Sequence, residues 1–255
     1  MNKIKAFSDR NRKEILRDPL SYIFCLAFPL VMLIIMTIVD SSIPKEAATV
    51  FHIDSLCAGV AVFGQTFVML FTSLTVSKDR SGSFLVRMYA SPMTSKDFTI
   101  GYTFPMFIIS TVQSIIIYIA SFIISFITDV SLNVGGMLIS LIALIPSSIM
   151  FIGFGLLFGT LFNEKSAPGI CSIIISLGSF LGAIWFDADS TGGVMLKICK
   201  VLPFYYCTKS ARSAIKLDFG ADIFIIPIII VIASAAVIGL LASLAFKSKM
   251  KADLS

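Results

Sequence analysis

Apolar positions in this chain gather in long unbroken runs instead of recurring at the period of a helix face or a strand. Six runs stand out: Leu20–Val39, Leu56–Val76, Phe98–Thr128, Gly136–Phe162, Pro168–Phe186 and Ile223–Phe246. None of them contains Asp, Glu, Lys, Arg or His. A helix needs roughly 20 apolar residues to cross about 30 Å of hydrocarbon at about 1.5 Å per residue. The pattern therefore predicts an all-α, polytopic membrane protein with six transmembrane helices. The third and fourth runs are longer than a crossing needs, so tilt, a kink at Pro105 or Pro146, or an interfacial extension is expected there.

Three polar segments carry patterns of their own. Residues 1–19 include Lys3–Leu16, an amphipathic helix with Ile4, Phe7, Ile15 and Leu16 on its apolar side, broken at Asp18-Pro19. Residues 77–97 place Phe84, Leu85 and Met88 on one face and Arg80, Ser83 and Arg87 on the other, stopped at Ser91-Pro92. Period alone is equally consistent with helices that only rest on the lipid surface. Residues 187–222 read as two short helices, Leu196–Leu202 and Tyr205–Leu217, divided at Pro203. Their aromatic residues suit a membrane interface, as in an outer, re-entrant hairpin. No segment outside the runs could bury a core, so residues 1–255 form one membrane domain.

Charge placement orients the bundle. With the N-terminus inside, most of the 20 Lys and Arg lie on the cytoplasmic side, in agreement with the tendency of bases near span ends to resist translocation. Lys45, Lys197, Lys200, Lys209, Arg212 and Lys216 fall outside. Both termini are thus expected in the cytoplasm, and the net charge of +5 is explained by contact with membrane lipid, without nucleic acid. Composition agrees: 57% of residues are hydrophobic, 14% are charged and the mean hydropathy is +0.96. The first run follows a charged stretch and is too long for the core of a leader, so it reads as a retained span.

Chemical motifs are mostly missing. The single histidine, His52, falls in an outer loop, and no zinc motif, nucleophile elbow or phosphate loop occurs. No catalytic residue, metal site or cofactor is expected in this chain. Coupled secondary transporters keep ionisable groups inside their bundles; with none here, energy for uphill movement would have to come from a cytoplasmic partner. The polar but neutral span residues, Gln65 and Gln113 among them, suit helix–helix hydrogen bonding or a path. Gly155–Gly159 and Gly178–Gly182 have spacing that permits close helix approach. Cys199 and Cys207 could pair if their segment folds back at Pro203.

Three stretches resemble the permeases of type 2 ABC exporters, the bacterial drug- and polysaccharide-exporter family. Arg10–Ile35, with Arg17-Asp18-Pro19 and then Pro29, is similar to that family's connecting helix and first span. Ser77–Tyr102, with Asp79-Arg80, Gly82-Ser83, Phe84-Leu85, Arg87 and Ser91-Pro92, resembles its coupling helix. Val201–Arg212 is similar to its outer segment before the last span. The resemblance implies a permease of the cell membrane that pairs with a second copy or a paralogue and docks separate ATP-binding subunits, which would hold the ATP and Mg. It points to Arg10, Arg17, Asp79, Arg80, Gly82, Ser83, Phe84, Arg87 and Pro92 for docking, and to Gln65, Thr66, Phe67, Thr72 and Ser176 for the cargo path. Cargo on this reading is a hydrophobic drug, peptide antibiotic or lipid-like compound. A polysaccharide or teichoic-acid exporter would favour an ordered row of aromatic side chains, and the sequence displays none. A non-transporting scaffold is the remaining alternative.

Overall fold

The computed structural model describes residues 2–44, 49–82, 84–89, 91–128 and 130–252. Helices account for all regular structure among them. In chain order they are α1 (Asn2–Leu16), α2 (Pro19–Ser42), α3 (Ile53–Ser81), α4 (Phe84–Tyr89), α5 (Ser95–Thr128) and α6 (Val134–Leu161). Then come α7 (Ala167–Leu181), α8 (Ala188–Thr191), α9 (Gly193–Val201), α10 (Pro203–Ile215) and α11 (Ala221–Met250). Five of these, α2, α3, α5, α6 and α11, are long and apolar enough to cross a membrane.

The fifth run, Pro168–Phe186, behaves differently. Its helix α7 has 15 residues, about 22 Å at about 1.5 Å per residue. It stops at Gly182, and Ala183 then turns with φ 53°. Even so, α7 joins the two ends of the bundle. Before it, Glu164 accepts a hydrogen bond from Ser81 at the end of α3; after it, the Ile184 carbonyl meets Arg212 beside the Ser55 carbonyl at the start of α3. The last turns of α11 return to the α1 end, where Phe246 packs on Phe98 and Tyr102. Helix α1 and the last turns of α11 therefore share one end.

Helix α3 is the centre. Its most apolar stretch is 94% buried, against 17% in α2 and in α11. It packs on α2, α5, α6, α7 and α10. Close approach to α6 depends on two glycines, since a Cβ at Gly155 would lie 2.5 Å from the Met69 carbonyl and one at Gly159 2.6 Å from that of Ser73. The Gly178 and Gly182 pair makes no such helix–helix contact. Pro105 and Pro146 lie inside continuous helices. In α2 and α11 a π-helical turn, Ile23–Ala27 and Ala221–Ile225, precedes Pro29 and Pro227. The widened turn accommodates the carbonyl that a proline ring would otherwise crowd.

Between α7 and α11 the fold contains the expected break at Pro203, which occupies the first position of α10. The helices run Gly193–Val201 and Pro203–Ile215, and α8 adds a short turn that the sequence did not suggest. Cys199 and Cys207 are both free and buried. They do not pair, because Cys199 packs with Ala183, Ala188 and Tyr205 while Cys207 belongs to the main core.

Candidate functional site

At the α1 end, four helices are tied together by one arginine. Arg10 projects from the middle of α1 and makes two hydrogen bonds to Asp79 near the end of α3, Nη1 to Oδ2 at 2.5 Å and Nη2 to Oδ1 at 2.8 Å. Tyr102, in the second turn of α5, donates to the same Asp79 oxygen at 2.7 Å. The Arg10 guanidinium also lies over the Phe84 ring of α4 at 4.1 Å, a cation–π distance. Glu14, one turn on, sits 2.7 Å from Arg10. Asp79 is 4% exposed, so its charge is tolerable only because Arg10 and Tyr102 answer it. Partial burial by itself would lower the Arg10 pKa, but the bond and charge of Asp79 outweigh this and raise it.

Apolar contacts reinforce the same joint. Phe7 meets Phe98 and Tyr102 edge-on at 5.3 and 5.0 Å and stacks with Phe84 at 6.4 Å. It fits there because Gly101 has no side chain; a Cβ would overlap the Phe7 ring. Asn11, fully buried, donates to the Gly101 carbonyl at 3.2 Å. Helices α1, α4, α5 and the end of α3 are thus one packed unit, with Arg87 on its exposed side.

The span residues singled out from sequence sit elsewhere. Gln65 is fully buried and links α3 to α6: its Nε2 donates to Ser148 Oγ at 2.8 Å and its Oε1 accepts from Ser147 at 2.7 Å. Ser148 in turn contacts Ser110 of α5 at 2.8 Å. Thr66 and Thr72 bond to carbonyls of their own helix. Ser176 is exposed on α7 and bonds to Ser172. Phe67 belongs to a feature that corrects the sequence reading. Along the α2–α3 seam, Phe71, Phe24, Phe67, Phe28, Phe63 and Trp185 form a row of rings, with neighbouring centroids 5.2–6.2 Å apart. An ordered aromatic row does exist; it is divided among two helices and the turn after α7 and assembles only when they pack.

The family model for ABC-2 type transporters matches residues 2–216, which include this whole assembly. The chain belongs to the ABC-2 type transporter family. No individual curated protein matched it. As a family member it is a multi-pass membrane component of a transporter, a permease subunit, and the family in general works with ATP-binding subunits.

In this permease the expected docking residues fall into three groups. Arg10, Asp79 and Phe84 face one another inside the joint. Arg80 reaches the Gly159 and Thr160 carbonyls at the end of α6. Arg17, Gly82, Arg87 and Pro92 are exposed, with the Pro92 carbonyl accepting from Lys3 at 3.5 Å. Ser83 lies outside the described residues. Sequence reasoning passed over Phe7, Asn11, Gly101 and Tyr102 as site residues. The Gly-Tyr pair at the start of an apolar run was the one available signal for the last two.

Proposed function

We propose that this chain is the membrane-spanning permease of an ATP-driven exporter, with six spans and both termini in the bacterial cytoplasm. The joint around Arg10 and Asp79 is the observation that carries this reading. A separate ATP-binding subunit would press on the exposed side of α4, at Gly82 and Arg87, and the joint would pass that motion to α1, α3 and α5 together. A lever of this kind needs a docking face and a stiff attachment to the bundle. The shared end of α1 and α11 supports an even number of crossings, with α7 as the shortest. A second permease, identical or paralogous, would complete the path, and the uncharged spans favour a hydrophobic drug, peptide antibiotic or lipid-like cargo.

The aromatic row favours a second reading, a polysaccharide or teichoic-acid exporter, since sugar faces stack on rings. Phe24 and Phe28 keep 38% and 36% of their surface exposed.

The test uses Arg87→Glu. Docked in a groove, the reversed charge would face a partner acid and cost roughly 2–5 kcal/mol of binding; on bare lipid one base is worth only about 1 kcal/mol. The variant is expected to insert normally and to lose co-purification of the ATP-binding subunit and export. Wild-type complex recovery would reduce α4 to a surface anchor.

A further inference from the structure

We propose that the cleft between α1 and the adjoining ends of α2 and α3 binds an anionic phospholipid from the membrane leaflet at that end. Lys13 and Arg17 would hold the phosphate, and the acyl chains would lie along the aromatic row. The cleft has a volume of about 1120 Å³, larger than a phosphate group requires and suited to a headgroup with the start of its chains. Its floor is apolar, formed by Ile15, Phe71 and Leu74, and Pro19, the first residue of the spanning-length helix α2, also lines it.

Acids and bases both line the cleft, but they are not equally free. Asp9 pairs with Arg12, and Glu14 with Arg10 and Lys78. Asp18 caps α2 and accepts from Ser21, while Glu164 accepts from Ser81. The Lys13 and Arg17 side chains have no hydrogen bond or ion pair among the described residues, and both line the cleft, Lys13 from the last turn of α1 and Arg17 from the turn that follows it. The donors left free in the cleft are therefore those of two bases, while the carboxylates of Asp18 and Glu164 already accept hydrogen bonds. Phe71 connects this pole to the seam: its ring is 6.2 Å from Phe24, the first of the two half-open rings of the row. Two bases with free donors beside an apolar lane match an anion joined to hydrocarbon. Basic pockets beside span ends bind anionic headgroups by the same physics.

This inference needs only membrane insertion, so its failure would leave the exporter reading untouched. The purified chain is placed in phosphatidylcholine vesicles with a trace of phosphatidylglycerol that carries a photoreactive group on its acyl chain. Wild type is expected to be labelled at the α2–α3 seam, and more strongly than by a photoreactive phosphatidylcholine. The double variant Lys13→Gln, Arg17→Gln should lose labelling by about tenfold or more. Removing equal charge from the exposed start of the same helix, with Lys3→Gln and Lys5→Gln, should change it less than about twofold. Exchanging the bases, Lys13→Arg with Arg17→Lys, should retain labelling. Equal loss in the two neutralised variants would mean general surface attraction, and displacement by millimolar glycerol phosphate would mean a site for soluble phosphate. Either result overturns the proposal.

Discussion

Helix α3 holds an arginine at each end, and the two are accommodated in opposite ways. Arg10 is answered by charge: Asp79 takes both its terminal nitrogens, and Glu14 lies alongside. Arg212, on α10, is answered by backbone. Its Nε, Nη1 and Nη2 donate to the carbonyls of Ser55, Ala183 and Ile184 at 3.1, 2.8 and 2.9 Å. Burial pulls the Arg212 pKa down to about 10, with Asp187 and Asp54 opposing it from a distance, so the side chain stays protonated at neutral pH. Arg10 moves the other way. A charge pair can be traded, reversed or competed for by a partner. Three carbonyls from two chain segments offer no such exchange, and they lock the turn after α7 to the start of α3. The α1 end is built for adjustment, the far end for holding.

The largest effect should come from Asp79→Ala. It leaves Arg10 with Glu14 as its one charged partner among the described residues and the Tyr102 hydroxyl without its acceptor, at a cost of about 3 kcal/mol. Denaturant unfolding of the detergent-solubilised protein measures it. Because the answer at this end is charge, reversing the pair with Arg10→Asp and Asp79→Arg should recover part of the loss. A change within about 0.5 kcal/mol for Asp79→Ala, typical of surface positions, would dissolve the contrast between the ends.

At the far end geometry should matter more than charge. Arg212→Lys keeps the charge but cannot reach three carbonyls in the plane of a guanidinium, so a loss of about 2 kcal/mol is expected. Arg212→Met should lie within about 1 kcal/mol of it. A lysine that behaves like wild type would show that charge alone suffices there too.

Gly101→Ala tests how far the charged joint depends on packing. The added methyl displaces Phe7 from its slot between α1 and α5, at an expected cost of about 1–2 kcal/mol. Proteolysis of the N-terminal helix should speed up in the variant, with the rest of the bundle unaffected. If cleavage is unchanged, the Arg10–Asp79 pair holds α1 without Phe7.

The apolar runs announced the bundle because hydrocarbon imposes a length on any helix that crosses it, and five runs match their helices to within a few residues. The run at Pro168–Phe186 matches its helix least well, since an apolar stretch contains no record of where Gly182 and Ala183 turn the chain. The joint was half visible. Arg10 and Asp79 lie in polar segments and so read as partner-facing; they are 69 positions apart, and nothing in one sequence pairs them. The aromatic row was present as two spacings of four, Phe24/Phe28 and Phe63/Phe67/Phe71, but the register of α2 against α3 is a product of packing. Arg212 was visible only as an exception to the placement of bases.

The smallest effect sharpens the comparison most finely, because it lies one turn from Arg212. Thr208 is 1% exposed, and its hydroxyl has no partner among the described residues. It lines the same small cavity as Arg212, about 200 Å³ in volume. An unanswered buried hydroxyl costs stability that an apolar group of equal shape does not. Thr208→Val should therefore stabilise the protein, by up to about 1 kcal/mol, while Arg212→Lys on the same helix face destabilises it. Opposite signs at two neighbouring positions cannot arise from general disturbance of α10. They follow only if each polar atom at this end is worth what its own partners supply: three carbonyls for Arg212, none for Thr208. Unfolding midpoints of the two single variants and their double variant decide the matter, and a Thr208→Val that loses stability would place a partner for that hydroxyl where the single chain has none.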